Sequence, residues 1–110
     1  MGSAVYDIIL ENFTDYRSIT TFWDDYSIAD RFGAAAVKDT FKRSFANWKD
    51  DYKYLTELVM VLNHKLWEWY EKDPEGPIYK AYGKCFEKAS SYAEDNLEGE
   101  ELSYYYRMTD

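Results

Sequence analysis

The fold is decided by residues 51–77, which read DYKYLTELVMVLNHKLWEWYEKDPEGP. Large apolar side chains recur in this stretch at the three- and four-residue spacing of one helix face. They are Leu55, Leu58, Val59, Leu62, Leu66 and Trp69. Val61 and Trp67 are expected to widen that face. Two prolines and a glycine within residues 73–77 cannot continue the helix and favour a tight reversal. The pattern predicts a central core helix over about residues 51–72.

A second helix is predicted after the reversal, over about residues 77–97. Its apolar positions also alternate spacings of three and four, and Gly99 is expected to close the pattern. They are Tyr79, Tyr82, Phe86, Ala89, Ala93 and Leu97. Gly83 lies inside the helix, where glycine costs about 1 kcal/mol relative to alanine. The two segments together predict an antiparallel helical hairpin at the centre of the fold.

Shorter helices are predicted on both sides of the hairpin. One covers about residues 4–12, and another begins at the capping box of Thr21 and Asp24 and stops at Gly33. A third covers about residues 34–49, and a last short helix or turn covers about residues 100–108. No stretch alternates strictly in the manner of a half-buried strand. We therefore predict an all-α protein, an irregular bundle of five or six helices that forms a single helical domain over residues 1–110.

Length and residue types limit the class of protein. The chain has 110 residues, one cysteine and no basic-then-apolar leader of the secretory kind. Its longest unbroken apolar run, Leu58 to Leu62, is far shorter than the roughly 20 residues of a membrane-spanning helix. We expect a cytoplasmic protein with no membrane segment.

Charge and aromatic residues favour a role in protein binding. Residues 1–30 and 89–110 each carry six acidic residues and one basic residue, whereas residues 31–88 carry nine acidic and eleven basic residues. Two negative ends repel nucleic acid and favour a partner with a basic surface. Twelve tyrosines, six phenylalanines and four tryptophans exceed what a core of this size needs, and tyrosine and tryptophan are enriched at protein interfaces.

No catalytic, cofactor or metal constellation is recognised. His64 is the only histidine, and with Glu68 it supplies two ligands where zinc needs three or four. Cys85 lies on an apolar helix without a histidine base, so a buried, unreactive thiol is expected. The doublet Asp50 and Asp51 is interpreted as helix-terminal charge, because adjacent helix positions point about 100° apart. We predict a non-enzymatic protein with no cofactor and no bound metal.

Residues 27–49 have some features of a helix-turn-helix. Ala29 and Gly33 have the expected separation, and a basic helix over residues 34–49 follows, with Lys38, Lys42, Arg43 and Lys49 off its apolar stripe. However, Asp39 and Lys42 occupy positions that are normally apolar in that motif. Direct nucleic-acid binding through these four residues is therefore kept as an alternative.

Three stretches carry a resemblance to a known family: FWDDYSIADRFG at residues 22–33, WKDDYKYLTELV at residues 48–59 and GEELSYYY at residues 99–106. They resemble a family of small uncharacterised proteins carried on conjugative elements and phages of gut bacteria. The resemblance covers about residues 20–110. It implies an accessory protein of a mobile element, of the kind that blunts host defences, including anti-restriction and anti-CRISPR proteins. It implies no catalytic residue.

Our leading hypothesis is an acidic binding module that occupies the basic cleft of a host nucleic-acid-binding defence protein. Its partner-binding residues would be Glu94, Asp95, Glu98, Glu100 and Glu101, with Tyr104, Tyr105 and Tyr106 beside them. The first alternative is a DNA-binding regulator that uses the basic helix. The second is a structural or assembly subunit of the element's transfer machinery.

Overall fold

A computed structural model describes residues 33–109, and the regular secondary structure of this part of the chain is all helical, without a strand. Its four helices are α1 (Ala34–Trp48), α2 (Tyr52–Lys72), α3 (Pro77–Asn96) and α4 (Gly99–Thr109). The all-α class is thus confirmed for these residues. The helices predicted over residues 4–12 and from Thr21 lie outside them, so a total of five or six helices stays a prediction.

The start of α2 depends on an aspartate cap. The Asp51 carboxylate accepts hydrogen bonds from the backbone N–H groups of Lys53, at 2.9 Å, and Tyr54, at 3.2 Å. These N–H groups have no partner within the helix, so the cap stabilises the first turn. The helix-terminal role predicted for this aspartate is confirmed. Asp50 acts differently, since its carboxylate accepts a hydrogen bond from the Tyr92 hydroxyl at 3.2 Å.

The end of α3 differs from the sequence prediction. Gly99 was expected to close this helix, but α3 ends at Asn96, and Leu97 has an extended backbone with φ −83° and ψ 143°. Gly99 instead begins α4, with a left-handed φ of +57°. The chain turns at the short link of Leu97 and Glu98. Leu97 is buried and anchors this turn to the core.

The core lies where α2 and α3 meet, with α1 packed on α3 and α4 packed mainly on α2. On α3 the buried side chains are small at every fourth position, namely Ala81, Cys85, Ala89 and Ala93. Small side chains let neighbouring helices approach closely. Next to the connection, the Tyr70 and Tyr79 rings are 6.1 Å apart. Four residues further into each helix, Leu66 faces Gly83.

The apolar face of α2 lies where it was predicted, except at Trp67. Leu55, Leu58, Val61 and Leu62 are buried as expected, but Trp67, predicted to widen the core face, is 63% exposed. Trp67 follows Leu58 by nine residues, which at about 100° per residue is half a turn away from the core. Lys65 is buried instead, with its ammonium 3.5 Å from the Glu68 carboxylate. A long aliphatic stem allows lysine to cover apolar surface in this way.

Candidate functional site

The five predicted carboxylates lie together at the junction of α3 and α4, which we call the acidic end. It consists of Glu94, Asp95, Glu98, Glu100 and Glu101, and all five side chains are exposed. Glu100 and Glu101 lie in the first turn of α4, where negative charge is favourable for the helix dipole. Glu94 and Asp95 lie near the end of α3, where it is unfavourable, and no basic residue occupies the last turn of α3 to offset it.

The three tyrosines predicted beside these acids have three different environments. The Tyr106 hydroxyl donates a hydrogen bond to a Glu94 oxygen at 3.1 Å, and its ring is 42% exposed. Tyr104 is half-buried and meets the Tyr52 ring edge to face, with ring centroids 5.4 Å apart. Arg107 lies 5.8 Å from the centre of the Tyr104 ring, which gives this side of α4 one positive charge.

Tyr105 does not offer the accessible ring that its predicted partner-binding role requires. It is only 4% exposed and belongs to the hydrophobic core. Burial raises the pKa of its hydroxyl to about 12, with smaller contributions from Glu94 and Tyr106. Adjacent helix residues point about 100° apart, so Tyr105 faces the core while Tyr106 faces the acidic end. Tyr105 therefore supports the acidic end from beneath.

The basic helix of the alternative hypothesis carries two openly exposed cations. Lys38 and Lys42 are exposed on α1, whereas the Arg43 guanidinium pairs with the Asp39 carboxylate at 3.1 Å. The Lys49 ammonium, just beyond α1, lies 5.8 Å from the centre of the Tyr92 ring. The four predicted residues thus do not form one uniform basic face.

Sequence reasoning missed a further cation beside α1, Lys88. Lys84 and Lys88 are exposed on α3, and the Lys88 ammonium lies 5.8 Å from the centre of the Phe45 ring of α1. Burial raises the pKa of the Cys85 thiol to about 11, and the positive charges of Lys38 and Lys88 partly oppose this shift. Lys84 and Lys88 are four residues apart, which could have suggested a common face, but only the packing of α3 on α1 brings Lys88, like Lys38, near Cys85. The expected burial of Cys85 is confirmed.

Residues 33–109 were predicted to hold neither a metal site nor a membrane-spanning helix. Glu68, the candidate partner of His64, is engaged by the ammonium groups of Lys65, at 3.5 Å, and Lys72, at 3.4 Å. The described residues contain no group of three or more His, Cys, Asp or Glu side chains placed to hold a metal ion. None of the four helices combines the length and the apolar character needed to cross a membrane.

Comparisons of the chain with protein families, curated proteins and solved structures give no match. The chemistry of its own surfaces is therefore the basis for assigning a function.

Proposed function

We propose that this chain is a non-enzymatic, acidic protein-binding module of a mobile element, and that it inhibits a host nucleic-acid-binding defence protein. It would act in the bacterial cytoplasm, as anti-restriction and anti-CRISPR proteins do. The acidic end enters the partner's basic cleft, where carboxylates replace phosphates and the exposed Tyr106 ring replaces a base. Nucleic acid is then excluded from the cleft by competition.

The observation that carries the proposal is the placement of the charge. Glu94 and Asp95 are exposed near the end of α3, where each negative charge costs roughly 0.3–1 kcal/mol through the helix dipole. Three more exposed carboxylates follow within six residues, on the link and the first turn of α4. Local charge repulsion of this kind destabilises the fold, so a use in binding accounts for it better than a use in stability.

We further propose the scaffold that presents this surface. The scaffold is a single domain over residues 1–110, a bundle of five or six helices with α2 and α3 as an antiparallel hairpin at its centre. The contacts of Tyr70 with Tyr79 and of Leu66 with Gly83 support the hairpin. In this arrangement, the acidic end lies at the far end of α3 from the connection between α2 and α3. A partner can therefore approach it without meeting that connection.

Affinity capture tests the proposed function. The tagged protein is incubated with bacterial lysate at low and moderate salt, with and without nuclease, and retained proteins are identified by mass spectrometry. The proposal predicts retention of a nucleic-acid-binding protein that resists nuclease treatment and weakens as salt rises, because exposed charges are screened. Added duplex DNA should displace that protein. Retention that survives moderate salt and excess DNA unchanged would contradict competition for a basic cleft.

A second candidate, a nucleic-acid-binding regulator, is favoured by an exposed cation of α3 that lies beside α1. Lys38 and Lys42 are exposed on α1, and Lys88, exposed on α3, lies beside Phe45 of α1. Replacing Lys38, Lys42, Arg43 and Lys49 by alanine would abolish DNA retardation if α1 reads DNA. A wild-type protein that never retards DNA at low salt would remove this candidate, whereas capture lost on nuclease treatment would favour it.

A further inference from the structure

A long surface trough follows α2 and α3, and it is built from three adjoining hollows. The first, of about 540 Å³, lies between α2, α3 and α4 and includes Asn63 in its lining. Asn63 also lines the second, of about 350 Å³. The second shares Tyr70 and Tyr79 with the third, of about 510 Å³, beside the connection between α2 and α3. Because they share lining residues, the three hollows adjoin one another, and we call them together the trough.

The trough collects the exposed apolar surface of the described residues. Trp67 and Tyr70, 63% and 53% exposed, line the second hollow. Tyr106 and Met108, 42% and 40% exposed, line the first. These four are the exposed large hydrophobic residues among the side chains that the structure describes. Large apolar groups gathered at a concave surface are typical of a binding site rather than of scattered exposure.

The trough is negatively charged at both ends. Glu94 lines one end, and Asp73 and Glu75 line the other. None of the described side chains that line it is basic. Glu94 lies 17 residues beyond Pro77 on α3, and this separation corresponds to about 26 Å at the helical rise. The trough thus combines an apolar middle with negative charge at both of its ends, which are about five helical turns apart.

We propose that the trough binds an amphipathic helix of a partner protein, with its apolar face on Trp67 and Tyr70 and with lysine or arginine at both ends. A helix matches a groove between helices, whereas strand addition needs a free strand edge, which residues 33–109 do not contain. The two basic groups would be roughly 17 residues apart on the helix, to reach Glu94 and Asp73 together. The assignment of a basic protein partner rests on the proposed function. The trough adds a second contact surface for that partner.

Calorimetric titration of the full chain with a synthetic peptide tests this proposal. The probe is a helical peptide of about 20 residues with leucine along one face and paired lysines at both ends, spaced as the helical rise requires. A control peptide has the same composition with the leucines spread around the helix. The first peptide should bind and the second should not. Trp67→Ala should weaken binding about tenfold or more, as expected for a buried aromatic contact.

The charge contribution has a matched control on α3. Glu94→Gln should weaken peptide binding roughly threefold, the usual size for a partly exposed ion pair. Glu87→Gln removes the same charge from an exposed position that does not line the trough, and it should leave binding unchanged. Circular dichroism of each variant establishes that the helices remain formed.

Three results would overturn the proposal. Equal binding of both peptides would mean unspecific apolar attraction, and absence of binding would mean that the trough does not accept a basic helix. A dimer in light scattering that Trp67→Ala converts to a monomer would assign the trough to a second copy of the chain. None of these three results would change the outcome of the salt-sensitive capture from lysate, which tests the proposed function. Loss of that capture with peptide binding intact would count against the proposed function alone.

Discussion

The Tyr106 hydroxyl donates a hydrogen bond to the Glu94 carboxylate at 3.1 Å and thereby ties α4 to the last part of α3. The contact joins a surface aromatic ring to a surface charge, and it belongs both to the acidic end and to the apolar trough. Tyr105, its neighbour in sequence, is buried beneath it. A single turn of α4 thus supplies one residue to the core and the next to the surface.

The contrast between these two tyrosines gives a stability prediction. Tyr105→Ala should lower the free energy of unfolding by about 3–5 kcal/mol, because a large buried ring leaves a cavity. Tyr106→Phe removes only an exposed hydrogen bond and should lower it by about 0.5 kcal/mol. Urea unfolding followed by circular dichroism measures both values. Similar losses in the two variants would contradict the assignment of Tyr105 to the core.

The cap of α2 provides a second prediction. Asp51→Ala should destabilise the protein by about 1 kcal/mol, because two N–H groups of the first turn lose their acceptor. Asp50→Ala is the matched control, since it removes the same charge one residue earlier and only the exposed contact with Tyr92. Its cost in the same urea experiment should be smaller. An equal loss would argue that charge, and not capping, determines the effect.

Two glycines should respond to alanine in opposite directions. A side chain added at Gly83 would meet Leu66 at 3.7 Å, an ordinary contact, so Gly83→Ala should stabilise the protein by about 0.5–1 kcal/mol. Gly99 has φ +57°, which other residues adopt at a cost, so Gly99→Ala should destabilise it by about 1 kcal/mol. Thermal unfolding of the two variants gives the signs. A loss of stability in Gly83→Ala would mean that α2 and α3 are too close there for a methyl group.

Alkaline pH should reveal the buried thiol. The pKa of Cys85 is raised from 9.0 to about 11 by burial. The folded state therefore holds its proton where the unfolded state has lost it. The contribution of the thiol to the free energy of unfolding is complete below pH 9. It is lost as the pH rises towards 11, where linkage lowers the free energy of unfolding by about 2 kcal/mol. Urea unfolding at pH 8 to 11 should show a steeper decline for the wild type than for Cys85→Ala. Parallel declines would contradict the burial of the thiol.

Sequence periodicity predicted the bounds of the described helices well where residues close together in the sequence determine them. The apolar stripe from Leu55 to Leu62 and the prolines at residues 74 and 77 are local signals, and α2 and α3 begin and end within one residue of the predicted bounds. The role of Asp51 followed from the same kind of local reasoning. These features need no knowledge of the partner helices.

Features that depend on packing between helices were not predictable in the same way. Trp67 is not among them: it was assigned to the core because tryptophan is apolar, although its position half a turn from Leu58 already indicated the opposite face. The burial of Tyr105 and the position of both Lys38 and Lys88 near Cys85 do depend on that packing. The trough was missed for the same reason, since its residues come from three helices and the connection between two of them.

The proposed binding of the acidic end to a basic cleft is tested most directly by the affinity of the captured partner. This affinity is measured for the wild type and for a variant with all five carboxylates of the acidic end changed to amides, each at low and moderate salt. A second variant, Glu71→Gln with Glu87→Gln, controls for removing exposed charge elsewhere. We expect the five-amide variant to bind at least about tenfold more weakly and to lose most of the salt dependence, while the control variant keeps both. Unchanged affinity and unchanged salt dependence in the five-amide variant would contradict the proposed binding.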